Sequence, residues 1–435
     1  SLRFAVDAVP GCVALVNDLT SDPAWVTPKD RCRDLARIAM DKGASLLLSP
    51  MQIEDYPCLI VPDAFAAYCT VITAIRNNFS PRTISVTGSI GKTTTSDMVH
   101  ALIKSKYKNT HYTTGNSNTV RNCGTMVQRL KSNHEFYVQE IMEASPPGSP
   151  SVISKMAQPQ ASIVTVVGTS HLEQFGTQEK IWESCLGIQD GMPDDGLLIL
   201  NGDDPLQHGA QTRLKSVWYG IEDEDADYRG VNIHGKGDEL HFDVLHNGRS
   251  TPVTLHCFGR HNVLDALAAF AAGEWAGMTE SEIVRGLASY RTSGIRQNLV
   301  TWGGQKLYLD CYNSSKESVV SALDALSMIE LPEGGKRVAV LADVLELGND
   351  ERPIHEEIGR SAAHSCADTL IFYGACSRFS AETARNEGRT DVYHALTPDE
   401  LMALIGEHVG PQDVALFKGS HGMELELIVD TIWGT

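Results

Sequence analysis

The 435-residue sequence has no Cys-x-x-Cys pair among its ten cysteines, no apolar run of membrane-spanning length and no low-complexity tract. Scattered cysteines without paired spacing read as reduced thiols, not as a disulfide frame or a zinc site. The missing apolar run excludes a spanning helix, so no membrane partner is expected. The opening residues SLRFAVDAVPGC carry no signal-peptide pattern, and the expected compartment is the cytoplasm. Basic residues are scarce: 36 Lys and Arg face 55 Asp and Glu, for a net charge of −19. Backbone binding to nucleic acid needs a broad basic surface, so no nucleic-acid partner is expected. Phosphate binding then has to come from a local cluster of cations and backbone N–H groups. No internal repeat is present.

What is present is globular, with 42% hydrophobic and 21% charged residues, and the chain is too long for one ordinary core. Residues 1–80 alternate short apolar runs (CVALV, SLLLS, CLIVP) with helical patterns such as KDRCRDLARIAMDKG, as a small α/β unit does. From Thr83 a strand leads into a glycine-rich stretch and an amphipathic helix, in which Met98 with Leu102 and Val99 with Ile103 form the buried stripe. FYVQEIME and ASIVTVVG continue a strand–helix alternation, which implies a parallel sheet. HFDVLHNGRSTPVTL breaks that rhythm as a hairpin turning at Asn247-Gly248. A helix near HNVLDALAAF follows, and KLYLDCY, RVAVLADV, TLIFYG and DVALFKG return to α/β. The acidic run EDEDAD (222–227) is expected to be a solvated loop.

The most specific local feature is Gly88-Ser89-Ile90-Gly91-Lys92-Thr93, set between a predicted strand and a predicted helix. Such glycines let N–H groups turn inward around phosphates, while the helix N-terminus and Lys92 add positive charge. Thr94 continues the same loop-to-helix junction, and the Thr93 hydroxyl is placed for Mg²⁺. Val86 stands where the longest form of such a loop has its first glycine. The expected ligand is a nucleoside triphosphate. Lys92 is expected to be an exposed loop residue, so that Lys92→Ala removes function without disturbing the fold. A phosphate loop alone fits a kinase, a GTPase or a ligase; the base-reading N-K-x-D of GTPases is absent from the chain.

Further motifs follow in order along nearly the whole chain: TGSIGKTTT, QEIME, HLEQFGTQEKI, LNGDDP, FGRHNVLDALAA, SGIR, LDCYNSSKES, VLADVLELGNDERPIHEEIG and ALFKGSHGMELE. Together they resemble the Mur ligase family and, within it, the MurF type, which adds D-Ala-D-Ala to a UDP-N-acetylmuramoyl-tripeptide. The resemblance implies an ATP-dependent, ADP-forming carboxylate–amine ligase working through an acyl phosphate. It implies three domains: a small N-terminal α/β substrate-binding domain (1–80), a central ATP-binding domain with a mostly parallel sheet and helices on both faces (81–296), and a C-terminal Rossmann-like acceptor domain (297–435). The expected partners are a small-molecule carboxylate donor and an amino-acid or dipeptide amine, and the expected state is a monomer.

Carried onto this chain, the resemblance gives Lys92, His171, Arg296 and Glu140 catalytic roles. It places ATP on Gly88, Ser89, Gly91, Lys92, Thr93, Thr94, Asn262, Arg296, Asp310 and Tyr312. Thr93, Glu140 and His171 would hold Mg²⁺, and Asn116, Asn118, Asn313, Lys418, Ser420 and His421 would face the substrates. Taken singly, each has a plainer reading: a turn histidine for His171, a helix cap for Asn262, a cap on the following turn for Asp310, core packing for Tyr312, a surface charge for Lys418.

Several positions depart from the family pattern. Cys185 stands where most relatives carry a carbamylated lysine that bridges metal ions, and a thiol is a poor ligand for Mg²⁺. Asp265 replaces an amide of H-N-x-x-N. The substrate loop reads GNSNTVRNCG, Lys316 replaces a proline, and His421 replaces an arginine with a titratable ring. These departures leave open a homologue making an amide in a specialised-metabolite pathway and a nucleotide-binding pseudo-ligase acting as a scaffold.

Overall fold

The computed structural model describes residues 1–17, 27–53, 55–113, 117–143, 148–168, 172–292, 294–302 and 305–434. The chain divides into two compact units, residues 1–227 with 268–282, and residues 228–267 with 283–435.

The first unit opens with a parallel four-stranded sheet, Leu2–Phe4, Val13–Leu15, Leu46–Ser49 and Cys58–Ile60, in chain order. Parallel strands need crossovers, and the helix Lys29–Asp41 supplies one. It buries Cys32, Leu35, Ala36 and Ala39, the i, i+3, i+4, i+7 stripe of an amphipathic helix. The next helix, Ala64–Arg76, starts at Asp63, whose carboxylate accepts from the Ala66 N–H at 2.9 Å. It ends on a buried Arg76 that donates to Ala157 O, Phe79 O, Pro81 O and Thr83 Oγ1, tying the helix to the start of the central sheet.

Six parallel strands of the central sheet belong to this unit, in the order Lys215–Gly220, Leu197–Asn201, Ala161–Val164, Arg82–Thr87, Phe136–Glu140, Thr110–Tyr112. Helices cover both faces, so the middle strands are buried apart from Arg82 and are mostly apolar or β-branched, with Ser85, Gln139, Glu140 and Ser162 among the buried polar exceptions. The register pairs Val86 with Glu140, which sets the end of one strand beside the start of the glycine loop.

In the second unit, Tyr228–Lys236, Glu239–His246 and Arg249–Leu255 form an antiparallel meander. His246 pairs with Arg249 across Asn247 (φ 49°) and Gly248 (φ 73°), the left-handed pair that a two-residue hairpin requires. A six-stranded sheet follows in the order Asn298–Trp302, Gln305–Asp310, Val414–Lys418, Arg337–Ala342, Thr369–Tyr373, Val392–Ala395; only the first pair is antiparallel. Its two faces carry separate apolar cores, one around Leu326, Leu341 and Phe372 and one around Val340, Leu401 and Phe417. No helix among the described residues is long and apolar enough to cross a membrane.

Candidate functional site

The strand Arg82–Thr87 runs into Gly88 (φ 131°), where a Cβ would collide with Thr165, so the chain can turn there only as glycine. Ser89 and Ile90 donate their N–H groups to Val166 O at 2.8 and 3.3 Å, which pins the first half of the loop to the neighbouring strand's exit. Those two amides are therefore spent on the protein. Gly91 (φ 89°) caps the helix Lys92–Lys106, and no side chain caps it. The anion-binding character is thus concentrated in the first helical turn at Lys92, Thr93 and Thr94. Ser89 contributes a buried hydroxyl with no hydrogen-bond partner among the described residues.

Lys92 differs from its sequence expectation. Its side chain is only 13% exposed, and its ammonium folds back onto Gly88 O (2.6 Å), Ser89 O (3.0 Å) and the Glu143 carboxylate (2.8 Å). One of these three oxygens belongs to an acid that the motifs did not single out. Glu143 is the second acid of QEIMEAS, and nothing in its spacing marks it.

Glu140 is buried at its strand end, and Asn118 donates to its Oε1 at 2.7 Å. The Glu140 N–H is taken by Thr113 Oγ1. An oxygen donor set of Thr93 hydroxyl and Glu140 carboxylate has the hard chemistry that Mg²⁺ requires. No group of three or more His, Cys, Asp or Glu able to hold a metal occurs among the described residues. Cys185 is buried, with its thiol pushed up to about 12 by burial and then by the Glu143 charge. It is a neutral thiol in an apolar wall. His171 and Asn116 lie outside the described residues.

The LNGDDP turn, one of the motifs that carry the resemblance, has a bracing role. Asp204 of LNGDDP accepts from the Val167 N–H at 2.7 Å and from Gln207 at 3.1 Å, bracing the segment that follows the Ala161–Val164 strand. Asp203 accepts from the amides of Ile221, Glu222 and Asp223, so the acidic loop is exposed at Glu222, Glu224 and Asp225 yet anchored at its base.

The second unit gathers its site residues at the carboxyl ends of parallel strands, where open α/β sheets bind ligands. Asp310 and Lys418 end adjacent strands and are paired in register. Lys418, 1% exposed, donates to Asp310 Oδ2 at 3.0 Å and to Asn313 O at 2.5 Å. The plain surface-charge reading of Lys418 is therefore excluded; its ammonium struts Asp310 against the turn bearing Asn313. Gln297 N–H donates to Asp310 Oδ1 at 3.3 Å.

Arg296 lies flat on Tyr312, guanidinium carbon 3.5 Å from the ring centroid, and His421 stacks with the same tyrosine at 5.7 Å. His421 Nδ1 is 3.0 Å from Glu426. Ser420 Oγ accepts from the Leu345 N–H at 3.0 Å. Asn262 is buried in the first turn of the helix Arg260–Trp275 and donates to Phe258 O (2.6 Å) and Gln297 Oε1 (3.0 Å), with its Oδ1 unpartnered among the described residues. His261 beside it is lowered in pKa by burial and sits as a neutral ring.

Asp265 is also buried, and the Cys257 thiol is raised first by its own burial and then by the Asp265 charge. Lys316 occupies the first position of the helix Lys316–Met328 and pairs with Glu357 at 2.8 Å. A first helical position tolerates proline or lysine equally, which explains that exchange. Gln297, one residue past SGIR, and Glu426, the last residue of ALFKGSHGMELE, were, like Glu143, not singled out by the motifs.

Residues 86–273 match the Mur ligase middle domain, and residues 295–421 match the Mur ligase glutamate ligase domain. The chain is 34% identical, over 87% of its length and 82% of the relative's, to the UDP-N-acetylmuramoyl-tripeptide–D-alanyl-D-alanine ligase of Bacillus subtilis. The protein of that name from Escherichia coli is 30% identical over 89% of this chain and 84% of its own length. In structure the chain is similar to MurF from Acinetobacter baumannii (TM-score 0.83, 24% identity, 100% of this chain and 93% of that one). It is also similar to MurF ligase from Thermotoga maritima in complex with ADP (TM-score 0.81, 23% identity, 99% and 96%). The fold expected from sequence, α/β with mostly parallel sheets, is the fold observed, and the relatives are ligases. With both domain matches in order and such identity along most of its length, the chain belongs to the Mur ligase family.

Proposed function

We propose that this chain is an ATP-dependent, ADP-forming ligase that joins the amine of D-alanyl-D-alanine to the terminal carboxylate of a UDP-N-acetylmuramoyl-tripeptide in the cytoplasm. The observation that carries the substrate choice is the 34% identity to a ligase of that name along 87% of the chain. What supports ATP is the uncapped, lysine-bearing helix N-terminus at Gly91–Thr94.

A carboxylate does not react with an amine at neutral pH. In the proposed reaction a donor carboxylate oxygen attacks the γ-phosphorus of ATP, and ADP leaves. The neutral amine then attacks the acyl carbon, and inorganic phosphate leaves with that carboxylate oxygen. Phosphoryl transfer of this kind needs positioning and charge neutralisation, not a protein nucleophile. Lys92 and the helix N-terminus receive the phosphates. Of the second unit's residues, Arg296 is the proposed further cation for the nucleotide, Tyr312 the proposed stacking face for its adenine, and Asp310, held by Lys418, the proposed acceptor from its ribose hydroxyls. Thr93 and Glu140 would hold Mg²⁺ with His171, and the cation would supply charge neutralisation at the transferring phosphoryl group.

Asn118, Asn313, Ser420 and His421 remain the proposed substrate-side residues, with Asn116, in the proposed division at residues 80/81 and 296/297. The test is direct. Incubation with ATP, Mg²⁺, UDP-N-acetylmuramoyl-tripeptide and D-alanyl-D-alanine should yield ADP, phosphate and the pentapeptide product by mass spectrometry. AMP as the nucleotide product, or ATP turnover without either substrate, contradicts the reading.

A further inference from the structure

The Lys92 ammonium has three N–H donors, and three oxygens take them: Gly88 O, Ser89 O and Glu143 Oε2. The lysine assigned above to the terminal phosphates is therefore fully occupied by its own chain. The two carbonyls are neutral and belong to the loop that would cradle the anion. Glu143 is different, because its carboxylate places a full negative charge where phosphate must arrive. The two side chains are 13% and 5% exposed, so solvent screens this charge weakly.

The main chain carrying Glu143 is fixed. Ile141 N–H donates to Val86 O at 2.8 Å, Met142 N–H to Asn118 O at 3.1 Å, and Ser184 Oγ to Glu143 O at 2.9 Å. The side chain can rotate, but the residue cannot drift away from the loop. Cys185 nearby is a neutral thiol and adds no negative charge of its own beside the Lys92–Glu143 pair.

We propose that Glu143 is a positioning residue that latches Lys92 onto the loop's own carbonyls and makes nucleotide binding conditional on a divalent cation. This inference rests on the ATP reading above. A nucleotide without its cation meets the Glu143 carboxylate at close range and is disfavoured. When the cation enters with the phosphates, Glu143 surrenders Lys92 to the phosphates and is neutralised by the cation instead, as a hard oxygen donor can be.

The experiment is a calorimetric titration of the full chain with sodium ADP, with and without MgCl₂. The wild type should bind ADP well only with MgCl₂. Glu143→Gln, which removes the charge and keeps the shape, should bind magnesium-free ADP tighter by on the order of tenfold or more, and should gain less from MgCl₂. Glu143→Asp, which keeps the charge, should retain the magnesium requirement. A purely structural role for Glu143 would not strengthen magnesium-free binding.

Equal magnesium-free affinities in the wild type and Glu143→Gln, with both binding in MgCl₂, overturn the latch and leave the ATP reading standing. Absence of ADP binding under every condition overturns both. Hydrogen exchange in the wild type provides a second measurement that requires no variant. MgCl₂ with ADP should slow exchange across residues 88–95, and sodium ADP alone should not; equal slowing by the two overturns the latch.

Discussion

Replacing Lys418 with methionine tests whether the second unit's site is held by a buried ion pair. The lysine side chain is 1% exposed and that of Asp310 12%, with 3.0 Å between the charges. At that separation and an effective dielectric of 20, the Coulomb attraction is about 5 kcal/mol before desolvation is counted. Methionine keeps the stem packed and removes the charge, stranding Asp310 and Asn313 O. Breaking a buried pair from one side costs about 3–5 kcal/mol. The Gln297 N–H still reaches Asp310 and some water can enter, so the expected loss is about 2–4 kcal/mol. For a unit of this size that lowers the calorimetric transition by about 5–15 °C. The double variant Asp310→Asn/Lys418→Met removes both charges and should recover at least half of the loss, because no ion is left unpaired. The reasoning is refuted if Lys418→Met shifts the transition by less than about 2 °C, or if the double variant is as unstable as the two single losses combined.

Lys92→Ala should reduce ATP turnover by at least about a thousandfold. It should also lower urea stability by about 1–3 kcal/mol, because it strands Glu143; an unchanged unfolding midpoint would mean that the pair is absent in solution. Cys185 should resist iodoacetamide in the native protein at pH 8, since its thiol lies near 12, and rapid native labelling would contradict its burial. Cys185→Lys should become activated by bicarbonate if a carbamate at that position aids the metal site, and a bicarbonate-independent rate argues that Glu143 and Glu140 suffice. His100 and His111 are both lowered to about 4 by burial, so the unfolded chain binds protons that the folded chain refuses. Their contribution is full above the unfolded value of about 6.5 and is lost as pH falls toward 4, so urea stability should drop across that window. His111→Gln should flatten the drop, and an unaltered slope would assign it to other groups.

Much of the fold was legible because it is written in local patterns. The β-branched run before Gly88, the stripe Met98/Val99/Leu102/Ile103 and the Asn247-Gly248 turn each identify an element without help from the rest of the chain. The positions of Glu140, Asp310 and Lys418 at strand ends followed from motif order. The partnerships did not. Lys92 with Glu143 joins residues 51 apart, and Lys418 with Asp310 joins residues 108 apart, through sheet registers that no window of sequence contains. A lysine in a glycine loop looks exposed until the fold supplies its acid, which is why the burial of Lys92 was not expected. The plainer surface-charge reading of Lys418 fails for the same reason, its acid being on the neighbouring strand.

The central claim is that a carboxylate is made reactive by loading it with the terminal phosphoryl group of ATP. The most direct measurement uses UDP-N-acetylmuramoyl-tripeptide labelled with ¹⁸O in its terminal carboxylate, with ATP, Mg²⁺ and D-alanyl-D-alanine. Formation of the acyl phosphate transfers one labelled oxygen to the released inorganic phosphate for each amide bond made. Unlabelled phosphate beside a correctly formed product, or label recovered in AMP, would contradict it.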